Sequence, residues 1–310
     1  MNVALSLRER KAGLRHPVAV GDRALFGLPL AEREGYFEEA MSALLLTLAV
    51  FAAEDVTISA GQRDDLGVIV HDVQSPYQGG TTQIRVLLPE DIKPDERLPT
   101  IYVLPVEAGV EHRYGDSVQE IVTQNLAAKH RAVFVFPTFA QLPWYADHPS
   151  DPLIRQETYL LQVVLPFIER TYPAQATRSG RLLLGFSKSG WGAWSLQLRH
   201  PDRFARAAAW DAPLMLDRPG QYGSGPIFGD DANFANYRLS ELVRSRGMML
   251  GDKPRLLMTG SANFREEHHR MHALLEELRV PHVHRDDPPR KHDWHSGWVA
   301  EAVELLVAPR

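Results

Sequence analysis

No cysteine occurs in the 310 residues, which removes disulfides, thiolate metal sites and cysteine nucleophiles from consideration. Positive charge is not in excess either: 34 Lys and Arg against 39 Asp and Glu leave a formal net charge of −5. Nucleic acid is held through clustered basic side chains, so no nucleic-acid partner is expected. Long apolar runs are also lacking. In "MSALLLTLAVFAAED" the uncharged stretch runs from Ala43 to Ala53, eleven residues. A helix crossing ~30 Å of hydrocarbon needs ~20, so no integral membrane span is expected. What remains, 44% hydrophobic and 24% charged residues, is the composition of a globular chain.

The short apolar run has the length of a signal-peptide core, and Val50-Phe51-Ala52 sets small residues where a signal peptidase cuts. The forty residues before it are rich in Arg and Glu and show no clear period. Met41 is therefore read as the true start, residues 1–40 as a misassigned or disordered extension, and 41–53 as a signal peptide. The protein is then exported, to the periplasm or beyond; with the earlier start it is cytoplasmic. The alternative for the run is an amphipathic helix packed on the domain.

From residue 55 to 310 a single domain is expected. "VTISAG", "LGVIVHDV" and "TQIRVLLPE" are β-branched segments separated by turn-forming residues, the pattern of an antiparallel meander. "PTIYVLPV" and "RAVFVFPTF" are nearly continuous apolar runs, as in strands buried on both faces. "DSVQEIVTQNLAAKH" carries a helical stripe, and 151–172 reads as one long helix capped by Asp151 and kinked at Pro166. Strands "RLLLGF", "RFARAAAW", "KPRLLMTG" and "PHVHRDD" then alternate with helices near 189–200, 265–278 and 296–307, with an irregular insert over 214–250. Such βα alternation predicts a mostly parallel sheet with helices on both faces, preceded by antiparallel strands.

"LLLGFSKSGWGAWS" (182–195) raises the chemical question. A serine hydroxyl must stand clear of its own backbone and find a base before it can attack a carbonyl. A tight strand-to-helix turn achieves the first and aims a helix N-terminus at the developing oxyanion. Gly185, Ser187 and Gly190 fit that turn, while Ser189 stands where G-x-S-x-G has glycine. A glycine-flanked serine is also a common helix cap.

Around this stretch the chain resembles the esterase family related to esterase D, feruloyl esterases and the antigen 85 mycolyltransferases. The resemblance rests on Trp144-Tyr145-Ala146-Asp147, Arg170 with Tyr172, the Ser187 turn, Gly192-Ala193, and Arg199-His200-Pro201-Asp202 with Phe204. It extends from about residue 80 to the C-terminus. It implies an α/β-hydrolase fold, ester-bond chemistry and Ser187 as nucleophile. His292, followed by Trp294 as in the family, is implied as the base, with His295 a surface residue.

The acid is less direct. Relatives place it after the penultimate strand, where this chain has Asn263. Asp211, at the end of the preceding strand, is the first substitute and Glu266 the second. For the oxyanion the backbone N–H of Lys188 is one donor. The other falls to Val106 or Glu107, because Pro105 has no N–H. Trp144, Tyr145, Asp147 and Trp294 are candidates for the substrate pocket; alternatively Trp144 and Tyr145 pack beneath the long helix. Seven of the 13 histidines fall within 268–295. His268 and His272, one turn apart, lack a supporting ligand pattern and read as surface helix residues, so no metal is assigned.

These residues together describe a serine-dependent carboxylic-ester hydrolase working through an acyl-enzyme, with no cofactor and a small-molecule or carbohydrate-linked ester as substrate. Ser189, Asn263 and Pro105-Val106 favour an alternative: a catalytically impaired hydrolase fold that binds carbohydrate or protein. A serine peptidase is the third reading. Oligomeric state is left open.

Overall fold

A computed structural model describes residues 56–286, 288 and 290–309. The start site, the extension over 1–40 and the signal peptide over 41–53 lie outside the described residues. Among the described residues no helix is long and apolar enough to cross a membrane.

Among the described residues ten strands form one sheet: β1 (Thr57–Ile58), β2 (Gln62–Arg63), β3 (Ile69–Gln74), β4 (Thr81–Leu87), β5 (Thr100–Leu104), β6 (Val133–Pro137), β7 (Arg181–Phe186), β8 (Arg206–Trp210), β9 (Leu256–Met258) and β10 (His282–His284). The order is β1-β3-β4-β6-β5-β7-β8-β9-β10, with β2 beside β3. Pairings through β4–β6 are antiparallel, and those from β6–β5 to β9–β10 are parallel. This is the expected α/β-hydrolase arrangement. Every residue of β5 and β6 is buried, because helices cover both faces. β4 alternates instead, with Thr82, Ile84 and Val86 buried between less buried neighbours.

The helices that pack on the sheet include α1 (Ser117–Thr123), α2 (Leu165–Thr171), α3 (Lys188–Arg199), α4 (Arg265–Glu277) and α5 (Val299–Val307). Two hydrophobic clusters fill the space between layers. One packs α2 and α3 against the sheet; the other packs α1 and α5.

The helix expected over 151–172 starts later and is not uniform. Asp151 accepts the Leu153 N–H at 2.9 Å and so caps a turn, while Ile154 and Arg155 form isolated bridges to Gln78 and Asp147. Helix begins at Gln156, passes through a π-turn over Leu160–Val164 and continues as α2. Pro166 lies at the start of α2 and cannot donate to the preceding turn, so the wider turn ahead of it takes the place of a sharp kink. The irregular segment over 214–250 holds short helices at Gly225–Phe228, Asp231–Ala235 and Leu239–Arg246.

Register brings the important strand ends together. Leu104 of β5 pairs with Gly185 of β7, and Phe186 of β7 pairs with Trp210 of β8. Pro105-Val106-Glu107, Ser187 and Asp211 therefore leave the same edge of the sheet. In open parallel sheets that carboxyl edge is where ligands bind.

Candidate active site

Ser187 sits between β7 and α3 with φ 54° and ψ −127°, a conformation disfavoured for any residue with a Cβ. The backbone is held there from both sides. The Ser187 N–H donates to Trp210 O at 3.0 Å, and Ser187 O accepts the Gly190 N–H at 3.0 Å. A Cβ on Gly185 would collide with the Ser189 backbone and come within 2.6 Å of Gly190 N, and one on Gly190 would approach Ala212 Cβ to 2.8 Å. Both glycines let α3 lie this close to the strands. Ser189 is fully buried. Its Oγ accepts the Phe186 N–H and donates to Phe186 O, both at 2.9 Å, closing the turn with a side chain where the usual pattern has none.

His292 faces Ser187, with Nε2 3.1 Å from Ser187 Oγ. Its Nδ1 is hydrogen-bonded to Asp211 Oδ2. A carboxylate only accepts, so Nδ1 carries the proton and Nε2 presents a lone pair to the serine. The ring rests on aromatic neighbours: Phe186 at a centroid distance of 4.4 Å, Tyr114 at 5.4 Å and Phe264 at 5.7 Å. Trp294 and Trp298 pack beneath Phe186 at 5.4 and 6.0 Å.

Asp211 is fully buried. Besides His292 it accepts the N–H groups of Ala262 (Oδ1, 2.7 Å), Phe264 (Oδ1, 2.8 Å) and Asn263 (Oδ2, 3.0 Å). Burial alone would raise its pKa, but the bonds from His292 and the three backbone N–H groups outweigh it and hold the carboxyl below its ordinary value. Asn263 thus contributes its backbone, and the carboxylate comes from the neighbouring strand end. The adjacent Ala212 N–H donates to Nε2 of buried His268 at 2.9 Å, which ties the Asp211 loop to α4.

Lys188, the first residue of α3, is nearly buried, with its ammonium 5.9 Å over the Tyr114 ring. Burial lowers its pKa, partly opposed by Glu107. The Glu107 carboxylate accepts the Arg113 N–H at 2.6 Å. Among the described residues no protein acceptor takes the backbone N–H of Lys188, Val106 or Glu107. The loop holding the last two is pinned by Tyr145, whose hydroxyl donates to Pro105 O at 2.5 Å.

A cavity of about 470 Å³ opens over Ser187 and His292. Glu107, Arg113, Tyr114, Lys188, Asn263 and Phe264 contribute to its wall.

Several sequence-derived expectations need correction. Trp144, Tyr145, Asp147 and Trp294 do not line this cavity. Trp144 and Tyr145 are fully buried, and both of their backbone N–H groups donate to Gln156 Oε1 at the start of the long helix. Asp147 accepts the Thr158 N–H and borders a separate depression with His148 and Arg155. Trp294 is buried under the His292 loop. Glu266 is exposed in the first turn of α4 and takes no part in the hydrogen-bonded chain from Ser187 to Asp211. His268 is buried, not on the surface. His295 is exposed, as expected; it bonds Glu120 Oε2 at 2.8 Å and accepts the Asp116 N–H at 3.0 Å, so it fastens its loop to the start of α1. Tyr114 and Phe264 are additions to the site; no motif marks them, and only the folded loops bring them to His292.

The "Putative esterase" family profile matches residues 75–301. The chain belongs to that family. Among individual relatives, Esterase Rv1288 of Mycobacterium tuberculosis is 26% identical over 180 residues, 57% of this chain. The chain spans only 38% of the length of that relative. Solved structures that share the fold include fluorophosphonate-binding serine hydrolase FphF of Staphylococcus aureus (20% identity, 81% of this chain and 100% of that one, TM-score 0.63). An S-formylglutathione hydrolase of Agrobacterium tumefaciens is similar at 16% identity over 81% of this chain and 98% of that one, TM-score 0.63. MPT51 of Mycobacterium tuberculosis superposes at TM-score 0.55 with 16% identity over 80% and 98%. The likeness to all three is one of fold.

Proposed function

We propose that this esterase-family chain hydrolyses carboxylic esters through a covalent acyl-enzyme on Ser187. The observation that carries the reading is the hydrogen-bonded sequence Ser187 Oγ, His292 Nε2, His292 Nδ1 and Asp211 Oδ2 beside an open cavity. His292 takes the serine proton as Oγ attacks the carbonyl carbon. The C–O π pair moves to oxygen, and the Lys188 N–H with that of Glu107 or Val106 receives the oxyanion. Collapse expels the alcohol, which leaves with the proton held on His292. Water then attacks the acyl-serine with His292 again as base. Asp211 holds the tautomer that makes Nε2 basic and offsets the imidazolium charge.

The cavity, with both charged and aromatic walls, suits a small ester, and no step requires a cofactor. The departures that favoured a binding module weigh less against this geometry. Asp211 stands in for Asn263, and Ser189 closes the turn by bonding Phe186. The test is hydrolysis of p-nitrophenyl acetate by wild type and Ser187→Ala. Turnover lost in the variant supports the reading; equal slow hydrolysis by both overturns it in favour of a binding role.

A further inference from the structure

The histidines that the active site leaves unused gather elsewhere. α4 packs against the edge strand β10, and their facing sides carry His272 and Glu276, one helical turn apart, and His282. The His282 side chain is 4% exposed and that of Glu276 67%. His282 Nδ1 lies 2.8 Å from Val280 O. A carbonyl only accepts, so Nδ1 holds the proton and Nε2 keeps its lone pair. This is the state of a metal-ligating imidazole, with a backbone carbonyl fixing the ring from behind. The lone pair faces His272 Nδ1 at 2.7 Å and Glu276 Oε1 at 3.7 Å. All three donor atoms lie within 4.8 Å of one another. Four tetrahedral donors at zinc's bond lengths of ~2.0–2.1 Å stand about 3.3 Å apart, between the two separations seen here.

We propose that His272, Glu276 and His282 bind one divalent transition-metal ion of the zinc class, clipping the edge strand β10 to α4. Two imidazoles and one carboxylate suit zinc or its neighbours and not magnesium or calcium. His272 gives up its Nδ1 proton to the other ring nitrogen or to solvent on binding. The fourth position is left to water on the side where Glu276 meets solvent. None of the three residues lines the cavity over Ser187. The neighbouring trio His269, His284 and Asp286 is the weaker candidate. There the carboxylate already accepts Arg265 at 2.7 and 3.1 Å and Ser261 at 2.9 Å, so a cation would have to displace a guanidinium.

The experiment is a titration of the chelator-stripped full chain with Zn²⁺ against a chromogenic competitor. The same titration is run on His282→Ala, His272→Ala, Glu276→Gln and His269→Ala. One tight equivalent is expected in wild type and in His269→Ala. Affinity should fall at least tenfold in each of the two histidine variants of the site and less steeply in Glu276→Gln. Should His282→Ala fold poorly, His272→Ala carries the test. Bound Cu²⁺ should show nitrogen couplings from two imidazoles in its electron paramagnetic resonance spectrum, reduced to one in His272→Ala. Absence of a tight equivalent, unchanged affinity in His272→Ala and His282→Ala, or a loss confined to His269→Ala would overturn the proposal.

Discussion

Replacing Asp211 with Asn changes one buried atom, and the surrounding donors decide which way the new amide turns. Oδ1 accepts two backbone N–H groups, from Ala262 and Phe264. Oδ2 accepts the Asn263 N–H and His292 Nδ1. An amide nitrogen in the first position would oppose two buried N–H donors, so it takes the second. There it donates to His292 Nδ1 and forces the proton onto Nε2, which then has no lone pair for Ser187. Restoring the reactive tautomer sets N–H against N–H, at roughly 1–3 kcal/mol for the buried group left unpaired. The lost carboxylate also no longer offsets the imidazolium: about 4 kcal/mol for charges ~4 Å apart at an effective dielectric of ~20. Together these raise the barrier by about 5–7 kcal/mol, or four to five decades in rate. The assay is steady-state hydrolysis of a p-nitrophenyl ester. kcat should fall about 10⁴-fold, the scale known for this substitution in serine triads, with KM little changed. Melting temperature should fall by about 3–12 °C, from ~1.5–3 kcal/mol for a charged hydrogen bond at ~2–4 °C per kcal/mol. Glu266→Gln serves as the control, with activity within about twofold of wild type because surface substitutions rarely perturb. If Asp211→Asn keeps a tenth of the activity while Glu266→Gln loses it, the acid has been misassigned.

Two further predictions concern the support of the site. Burial pushes His268 down to about 4, against ~6.5 when unfolded. Its contribution is complete above about pH 6.5 and is lost as pH falls towards 4, because only the unfolded chain takes up the proton in that window. The loss is roughly 3 kcal/mol. Urea unfolding at pH 7 and pH 4.5 should therefore show a smaller acid-induced loss in His268→Gln than in wild type; equal losses would remove His268 from the account. Ser189→Gly restores the family's usual glycine, yet it removes the hydroxyl that bonds both Phe186 N and Phe186 O and should cost roughly 0.5–1.5 kcal/mol, the net worth of a hydrogen bond. A thermal scan showing the glycine variant equal to or more stable than wild type would contradict this.

Much of the fold was legible because the apolar pattern of each strand reflects the faces it buries. The continuous runs at β5 and β6 and the alternation in β4 marked the change from antiparallel to parallel pairing. The tight turn at Ser187 was legible because a crowded strand-to-helix turn needs small residues at 185 and 190. Asp211 could be picked out as a carboxylate ending a buried strand, but no sequence signal marked the three backbone N–H groups that converge on it. The pocket was not legible. Trp144 and Tyr145 follow a strand as pocket residues do, yet Gln156 draws their backbone into the core. Tyr114 and Phe264 come from loops whose sequences carry no periodic signal. The helix over 151–172 begins later than its pattern suggests because Asp151-Pro152 is equally good turn chemistry.

The central claim is that Ser187, and no other hydroxyl, forms the covalent bond to the acyl group. Its most direct measurement is intact-protein and peptide mass spectrometry after treatment with a p-nitrophenyl phosphonate ester, which a triad serine attacks as it would a carboxylic ester. The account predicts a single adduct on the peptide containing Ser187, with loss of p-nitrophenol, and its absence in both Ser187→Ala and His292→Ala. No adduct on wild type, or an adduct on another residue that survives in Ser187→Ala, would contradict it.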